Sequence, residues 1–273
     1  MKMTGKTALV LGASRGIGLA IARMLADHGV RLTLPWFDWP ESAAAMAEEF
    51  TSTRHLVLPV DLRSSDQVAS LITAISDRFH GLDILINNIE RGGMPILHGS
   101  YHREVNRQQW QLEQETTLHA KWLVFELALP LLRQSREAIV VNISSIAGQI
   151  GRTGPAGLLF NDGYAAANRG LTLLTETWAR MGAPNIRVNE LMLGLIDSRH
   201  GPGTRGWELL TEKQRGELLS HTLLGRTGTP EEVARAVLFL VRDADFLTGA
   251  VVRLDGGFVL GGELPPEMPE GAL

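Results

Sequence analysis

The chain has 273 residues, 44% of them apolar and 21% charged, a balance that buries one substantial core. Its formal net charge of −4 gives no electrostatic reason to expect nucleic acid or an anionic membrane as a partner, so a small molecule is expected instead. The absence of cysteine excludes disulfides, zinc–thiolate sites and thiol nucleophiles, and no metal site is expected.

The first apolar run, "TALVLGA" (7–13), follows a basic residue but is too short to span a bilayer. With no targeting segment, a cytoplasmic location is expected. Further short β-branched and leucine-rich runs are "VRLTLPW" (30–36), "HLVLPVDL" (55–62), "LDILINN" (82–88), "EAIVVNISS" (137–145), "IRVNELML" (186–193) and "AVVRLDGG" (250–257). Several are apolar on both faces, as in a parallel sheet covered on each side. Helical periodicity covers 16–28, 41–50, 65–79, 106–133, 163–181 and 230–242, with a shorter helix near 207–220. This alternation predicts one doubly wound α/β domain with a seven-stranded parallel sheet over residues 1–262.

Two segments break the rhythm. The loop "DSRHGPGTRGWELL" (197–210) carries Gly201, Gly203 and Gly206 around Pro202, and reads as a lid over a site or as an ordinary surface loop; the candidate substrate loop spans about 197–221. The Gly/Pro/Glu-rich tail, 263–273, either frays or lies on a neighbouring subunit.

After the first run comes "LGASRGIGLAIARMLADHG", with Gly12, Gly16 and Gly18 at the opening of an amphipathic helix. Glycines there allow a tight turn and close backbone approach to a pyrophosphate, whose charge meets free N–H groups at the helix N-terminus. A dinucleotide site is expected, with Ser14, Arg15 and Ile17 in the same loop.

Further along come "VDL" with Asp61, "INN" with Asn87 and Asn88, "NISSIAG", Tyr164, "IRVNELMLGLIDS" and "RTGTPEEVARAVLFLV…TGAVVRLDGG". In this order the motifs resemble those of the short-chain dehydrogenase/reductase family up to about residue 262. The resemblance implies a Rossmann-type fold, a nicotinamide cofactor and a homodimer or homotetramer. It implies that Asp61 and Leu62 border the adenine, that Asn87 lies near a ribose, and that Gly194 and the segment Ile196 to Ser198 meet the nicotinamide side. Asp61 could instead cap a turn, and Asn87 could satisfy backbone groups between strands. No acid stands at Trp36 or Phe37, where NAD users of the family commonly hold a ribose diol, and Arg15 favours a 2′-phosphate. The expectation therefore tilts to NADP over NAD.

In the family, a serine and a tyrosine meet the substrate oxygen while a lysine four residues after the tyrosine holds the ribose and lowers the phenol pKa. An asparagine on an earlier helix anchors a water relay. By this resemblance Ser145 and Tyr164 are the catalytic pair, with Ser144 the alternative serine. However, Asn168 stands in the lysine position, Thr117 in the asparagine position and "NNIE" where the family has "NNAG". A tyrosine titrates near 10, so loss of a neighbouring cation weakens it as a base. Lys121, one turn after Thr117, either supplies the missing charge or is a lysine at a solvent or dimer surface. Arg169 is expected to face the sheet or a subunit contact. Glu90 threatens a bound pyrophosphate unless its side chain bends away. The segment 148–163, longer than the family's, either walls the pocket or bulges outward.

Two functions are carried forward. One is hydride transfer between NAD(P) and a carbonyl or secondary alcohol, with an altered proton relay. The other is a redox-impaired nicotinamide-nucleotide-binding protein acting as sensor, regulator or partner subunit.

Overall fold

The computed structural model describes residues 1–90, 103–198, 207, 210–262 and 271. Its strands are β1 (Thr7–Val10), β2 (Arg31–Trp36), β3 (Leu56–Pro59), β4 (Ile84–Asn87), β5 (Ala138–Ser145), β6 (Ile186–Leu193) and β7 (Val251–Leu254). They form one sheet in the order β3-β2-β1-β4-β5-β6-β7, every neighbouring pair parallel. The chain runs outward from β1 to β3 and returns beyond β1 to β4, so the order reverses between β1 and β4. A ligand crevice opens at such a switch point, beyond the carboxyl ends of the strands.

The helices are α1 (Gly16–Asp27), α2 (Pro40–Glu49), α3 (Ser65–Phe79), α4 (Glu104–Glu113), α5 (Ala120–Leu132), α6 (Ala147–Ile150), α7 (Asp162–Gly182), α8 (Glu212–His221) and α9 (Pro230–Arg242). Local chemistry sets several starts. The Ser64 side chain accepts from Gln67 N at α3, and Thr229 with Glu232 forms a reciprocal capping pair at α9, whose first residue is Pro230.

The helix expected over 106–133 runs without a gap from Glu104 to Leu132, with one distorted turn. Between α4 and α5 the turn Gln114–His119 widens to π geometry, and within it Thr116 returns its hydroxyl to Leu112 O at 2.7 Å. Such widened turns cluster at functional sites, and this one presents Thr117.

One face of the sheet is covered by α1 and α9 through Ile21, Leu25, Val233, Val237 and Val241. The other face packs against α3, α5 and α7, where Phe125 and Trp178 stack with ring centroids 4.1 Å apart. Phe125, Leu171 and Trp178 are thus core residues, whereas Trp122 is exposed. A third apolar cluster, at the carboxyl ends of β5 and β6, includes Ile146, Leu159, Phe160, Tyr164, Met192, Leu195 and Phe258. The long segment 148–163 therefore folds inward, forming α6 and a short 3₁₀ turn, Pro155–Leu158. Nearly all of the tail 263–273, and residues 199–206 of the candidate lid, lie outside the described residues.

Candidate active site

At the switch point, the turn after β1 is built by close approach. A Cβ on Gly12 would lie 2.2 Å from Asn88 O, and one on Gly18 would lie 2.1 Å from Gly12 O and 2.8 Å from Asn88 Nδ2. Gly12 and Gly16 also take positive φ, +65° and +53°, which L side chains rarely adopt. The loop, the first turn of α1 and the end of β4 are therefore pressed together with no room for side chains. No side chain caps α1 and no acid sits in its first turn, so its N-terminal N–H groups and positive dipole end suit an anion.

Ser198 packs over this loop, its Cβ 3.3 Å from where a Cβ on Gly16 would stand. Ile196 is buried and bridges to Gly228. Gly194 serves the sheet: a Cβ there would strike Asp255 Cα at 2.6 Å. Ser14 and Ile17 are half-buried in the loop, whereas Arg15 is exposed and lays its guanidinium 3.8 Å from the Trp39 ring centroid.

Toward the outer strands, Arg63 lies over the Phe37 ring and pairs with both oxygens of Asp61, at 2.9 and 2.7 Å. Asp61 also accepts from Arg63 N, closing a turn, and the Arg63 guanidinium holds its carboxyl below the usual range. The turn role considered for Asp61 is thus real. Leu62 is buried in the core on the α3 side.

Asn87 is placed differently from the expectation. It is fully buried and donates to Asn142 Oδ1 at 2.8 Å, and Asn142 in turn donates to Thr175. Its side chain belongs to a polar layer between sheet and helices, while its neighbour Asn88 reaches the glycine loop and donates weakly to Leu11 O. Because side chains alternate along a strand, only one of two consecutive asparagines can face each way.

Tyr164 stands in the first turn of α7, which is pinned firmly. Asn161 caps the helix by accepting from Tyr164 N at 2.7 Å and donates to the buried Glu113 of α4, while Gln114 donates to Gly163 O. The tyrosine is buried beside Phe160, and its hydroxyl donates to Glu90 Oε2 at 2.8 Å. Glu90 lies three residues beyond β4 and has swung toward the tyrosine.

Ser145 is buried at the end of β5 and accepts from Ala147 N. Ser144 faces the other way and donates to Glu190, which also accepts from Thr172. This removes Ser144 as the alternative serine. Burial pushes the Glu190 carboxyl up, against the pull of Ser144, Thr172 and the Lys121 charge.

Asn168 is fully buried; its amide donates to Tyr164 O in its own helix, and its Oδ1 has no hydrogen-bond partner among the described residues. The same holds for the Thr117 hydroxyl. Lys121 is no surface lysine: it is fully buried and donates to Ile143 O at 2.6 Å. Arg169 is exposed and does not face the sheet. Arg91, Arg199, His200 and Arg205 fall outside the described residues.

The residues fit a dinucleotide on three counts: a cradle that any Cβ would fill, an uncapped helix N-terminus, and buried polar atoms of Asn168 and Thr117 that lack partners among the described residues. No cluster of metal-ligating side chains occurs among the described residues.

Known proteins agree with this geometry. A family model described as "Enoyl-(Acyl carrier protein) reductase" matches residues 12–259. The chain belongs to the short-chain dehydrogenase/reductase family. It is 30% identical over 266 residues to the 3-oxoacyl-(acyl-carrier-protein) reductase FabG of Thermotoga maritima, covering 95% of this chain and 100% of the relative. The FabG of Vibrio cholerae is 29% identical over 262 residues, with the same coverage. Among solved structures, a short-chain dehydrogenase/reductase described as a glucose/ribitol dehydrogenase, from Brucella melitensis, superposes with a TM-score of 0.79 at 26% identity, covering 94% of this chain and 98% of that one. A blue fluorescent protein from a metagenomic library, solved in complex with NADPH, also gives 0.79, at 28% identity, covering 94% and 99%. As a member of this family the chain is an NAD(P)-dependent oxidoreductase by class.

Sequence reasoning missed Asn88, Glu190 and the pairing of Glu90 with Tyr164. A lone acid inside the apolar run "IRVNELML" was a visible signal for Glu190. The Glu90 contact joins residues 74 positions apart and left none.

Proposed function

We propose that the chain reduces a carbonyl on a small molecule with NADPH, through a proton-handling site that departs from the family's. The observation carrying this reading is that the Tyr164 hydroxyl reaches the end of β4, in the same crevice where Asn88 meets the glycine loop. A bound nicotinamide supplies the hydride. Gly12, Ser14, Arg15, Gly16, Ile17 and Gly18 hold the pyrophosphate side, and Asp61, Leu62 and Asn88 border the adenosine side. Ile196 and Ser198 close over the loop. Tyr164 and Ser145 hydrogen-bond the substrate oxygen, and Tyr164 gives it a proton. Leu159, Phe160, Met192 and Leu195 offer an apolar wall for the rest of the substrate.

NADP is preferred over NAD because Arg15 stands ready on Trp39 and β2 ends without an acid. The neighbour solved with NADPH agrees with this preference. Asn168 takes the lysine position and Thr117 the asparagine position, so the tyrosine lacks its usual cation. Residues 1–262 act as the catalytic unit of a homodimer or homotetramer in the cytoplasm, followed by a short tail.

A second reading is favoured by the Asn168 amide, which is turned to its own helix. On this reading the chain binds the nucleotide as a sensor, regulator or partner subunit, with redox chemistry impaired. Single-turnover oxidation of bound NADPH and NADH, against a panel of ketones and aldehydes, separates the two. Turnover abolished by Tyr164→Phe establishes the reductase. Tight binding without turnover, with activity appearing in Asn168→Lys, establishes the second reading.

A further inference from the structure

Where the family places a cation to ionise its tyrosine, the geometry here places an anion. The Tyr164 hydroxyl donates to Glu90 Oε2 at 2.8 Å, in a partly buried position where charges are less screened than in water. We propose that Glu90 is the positioning residue of the site: its carboxylate holds Tyr164 as a neutral phenol and fixes the direction of its O–H until a carbonyl oxygen replaces Glu90 as the acceptor. This rests on Tyr164 being the proton donor, but its test needs no turnover.

The physical argument is electrostatic. A phenolate beside a carboxylate puts two negative charges within hydrogen-bond distance, whereas a phenol donating to that carboxylate makes a charge-assisted hydrogen bond. A bound nicotinamide would supply hydride to the carbonyl carbon; the single O–H of Tyr164 would turn from Glu90 to the carbonyl oxygen, break, and leave its proton there. The resulting phenolate, repelled by Glu90, takes a proton back from solvent. Glu90 raises the energy of that phenolate for both directions alike, because it is the product of the proton step in reduction and the reactant in oxidation.

Other ionisable groups lie on the elements around α7. Glu113 of α4 is held by Gln109 and Asn161. Glu190 of β6 is held by Ser144 and Thr172. His119 lies in the π turn against Trp122, and Asp162 stands near Arg152 at the start of α7. Arg169 is exposed on α7. Lys121 of α5 sets its ammonium on Ile143 O and its charge acts on Glu190.

The test uses the fact that the chain has only two tyrosines, Tyr101 and Tyr164. Labelling with 3-fluorotyrosine, whose phenol ionises at lower pH than tyrosine's, gives two ¹⁹F signals, assigned by Tyr101→Phe. The expected result is a Tyr164 signal that titrates above free fluorotyrosine. Glu90→Gln should lower its midpoint by about 1–3 units, a rise in phenolate fraction of roughly tenfold to a thousandfold. Glu90→Asp, which keeps the charge, should leave the midpoint raised. A Tyr164 midpoint at or below that of the free amino acid overturns the proposal and hands control to Lys121. A midpoint unmoved by Glu90→Gln overturns it equally. If the titration behaves as expected but no carbonyl is reduced, the reductase reading fails while the role of Glu90 stands.

Discussion

Asp83, which leads into β4, shows how one carboxylate can tie three distant segments together. It accepts from Lys6 Nζ at 2.9 Å, from Thr7 N at 3.0 Å and from Ser135 Oγ at 2.6 Å, joining the starts of β1 and β4 to the turn before β5. Burial pushes its carboxyl up, but these bonds outweigh burial and hold it below its ordinary value. A carboxyl depressed in the folded state stabilises the protein above its unfolded pKa of about 3.9, and the gain disappears as the pH falls through the folded value. Asp83→Asn is therefore expected to cost about 1.5–3 kcal/mol at neutral pH, from lost bonds to a charged group, with the deficit vanishing in strong acid. Urea unfolding of both proteins across that range checks it. Asn168 offers a second test at this scale. Asn168→Lys places a cation one turn from Tyr164, and in the single-turnover assay is expected to raise reduction of a ketone and oxidation of its alcohol together, because both use the same phenolate. Rates unchanged in both directions would count against the electrostatic account of Tyr164.

Among the elements, the glycine turn between β1 and α1 tolerates least. Gly18 lies in the helix, where alanine is the better helix former by about 1 kcal/mol, so propensity alone favours Gly18→Ala. The contact distances decide otherwise: the new methyl group would stand 2.1 Å from Gly12 O, part of the backbone. The substitution is expected to destabilise by about 1–3 kcal/mol and to weaken NADPH binding together with stability. Thermal melts with and without NADPH check both effects. This element was legible in the sequence because its chemistry is local. The strand, the three glycines and the helix period lie in one short stretch, and the strands at 7–10, 31–36 and 186–193 fall within the expected runs for the same reason. The widened turn at Gln114–His119 was not legible, since the expected helix runs through it and a single π turn has no residue-type signature of its own. The facing of Asn87, Ser144 and Lys121 was equally hidden, because it depends on which helix covers which side of the sheet.

At the scale of the whole molecule, the sheet and its two helical layers bury most apolar residues, yet α7 carries an exposed leucine. Leu173 is 65% exposed, in the middle of an outward face that also carries Ala166, Arg169, Glu176 and Arg180. Beyond α7, Phe239 of α9 and Phe246 before β7 are also exposed, and β7 ends the sheet with one edge open. An unpaired strand edge is a cost that assembly would remove. Two such faces on one chain permit a dimer through one and a tetramer through both, since each interface is its own partner across a two-fold axis. Leu173→Glu puts a charge into the first face and Phe246→Asp into the second. Light scattering of the parent is expected to give a dimer or tetramer mass. Leu173→Glu should then lower that mass, and the double variant should give a monomer that still binds NADPH, because the glycine loop and Tyr164 are built within one chain. A parent that is monomeric at assay concentration would remove the assembly, and a monomeric double variant that cannot bind NADPH would mean that a second copy completes the cofactor site.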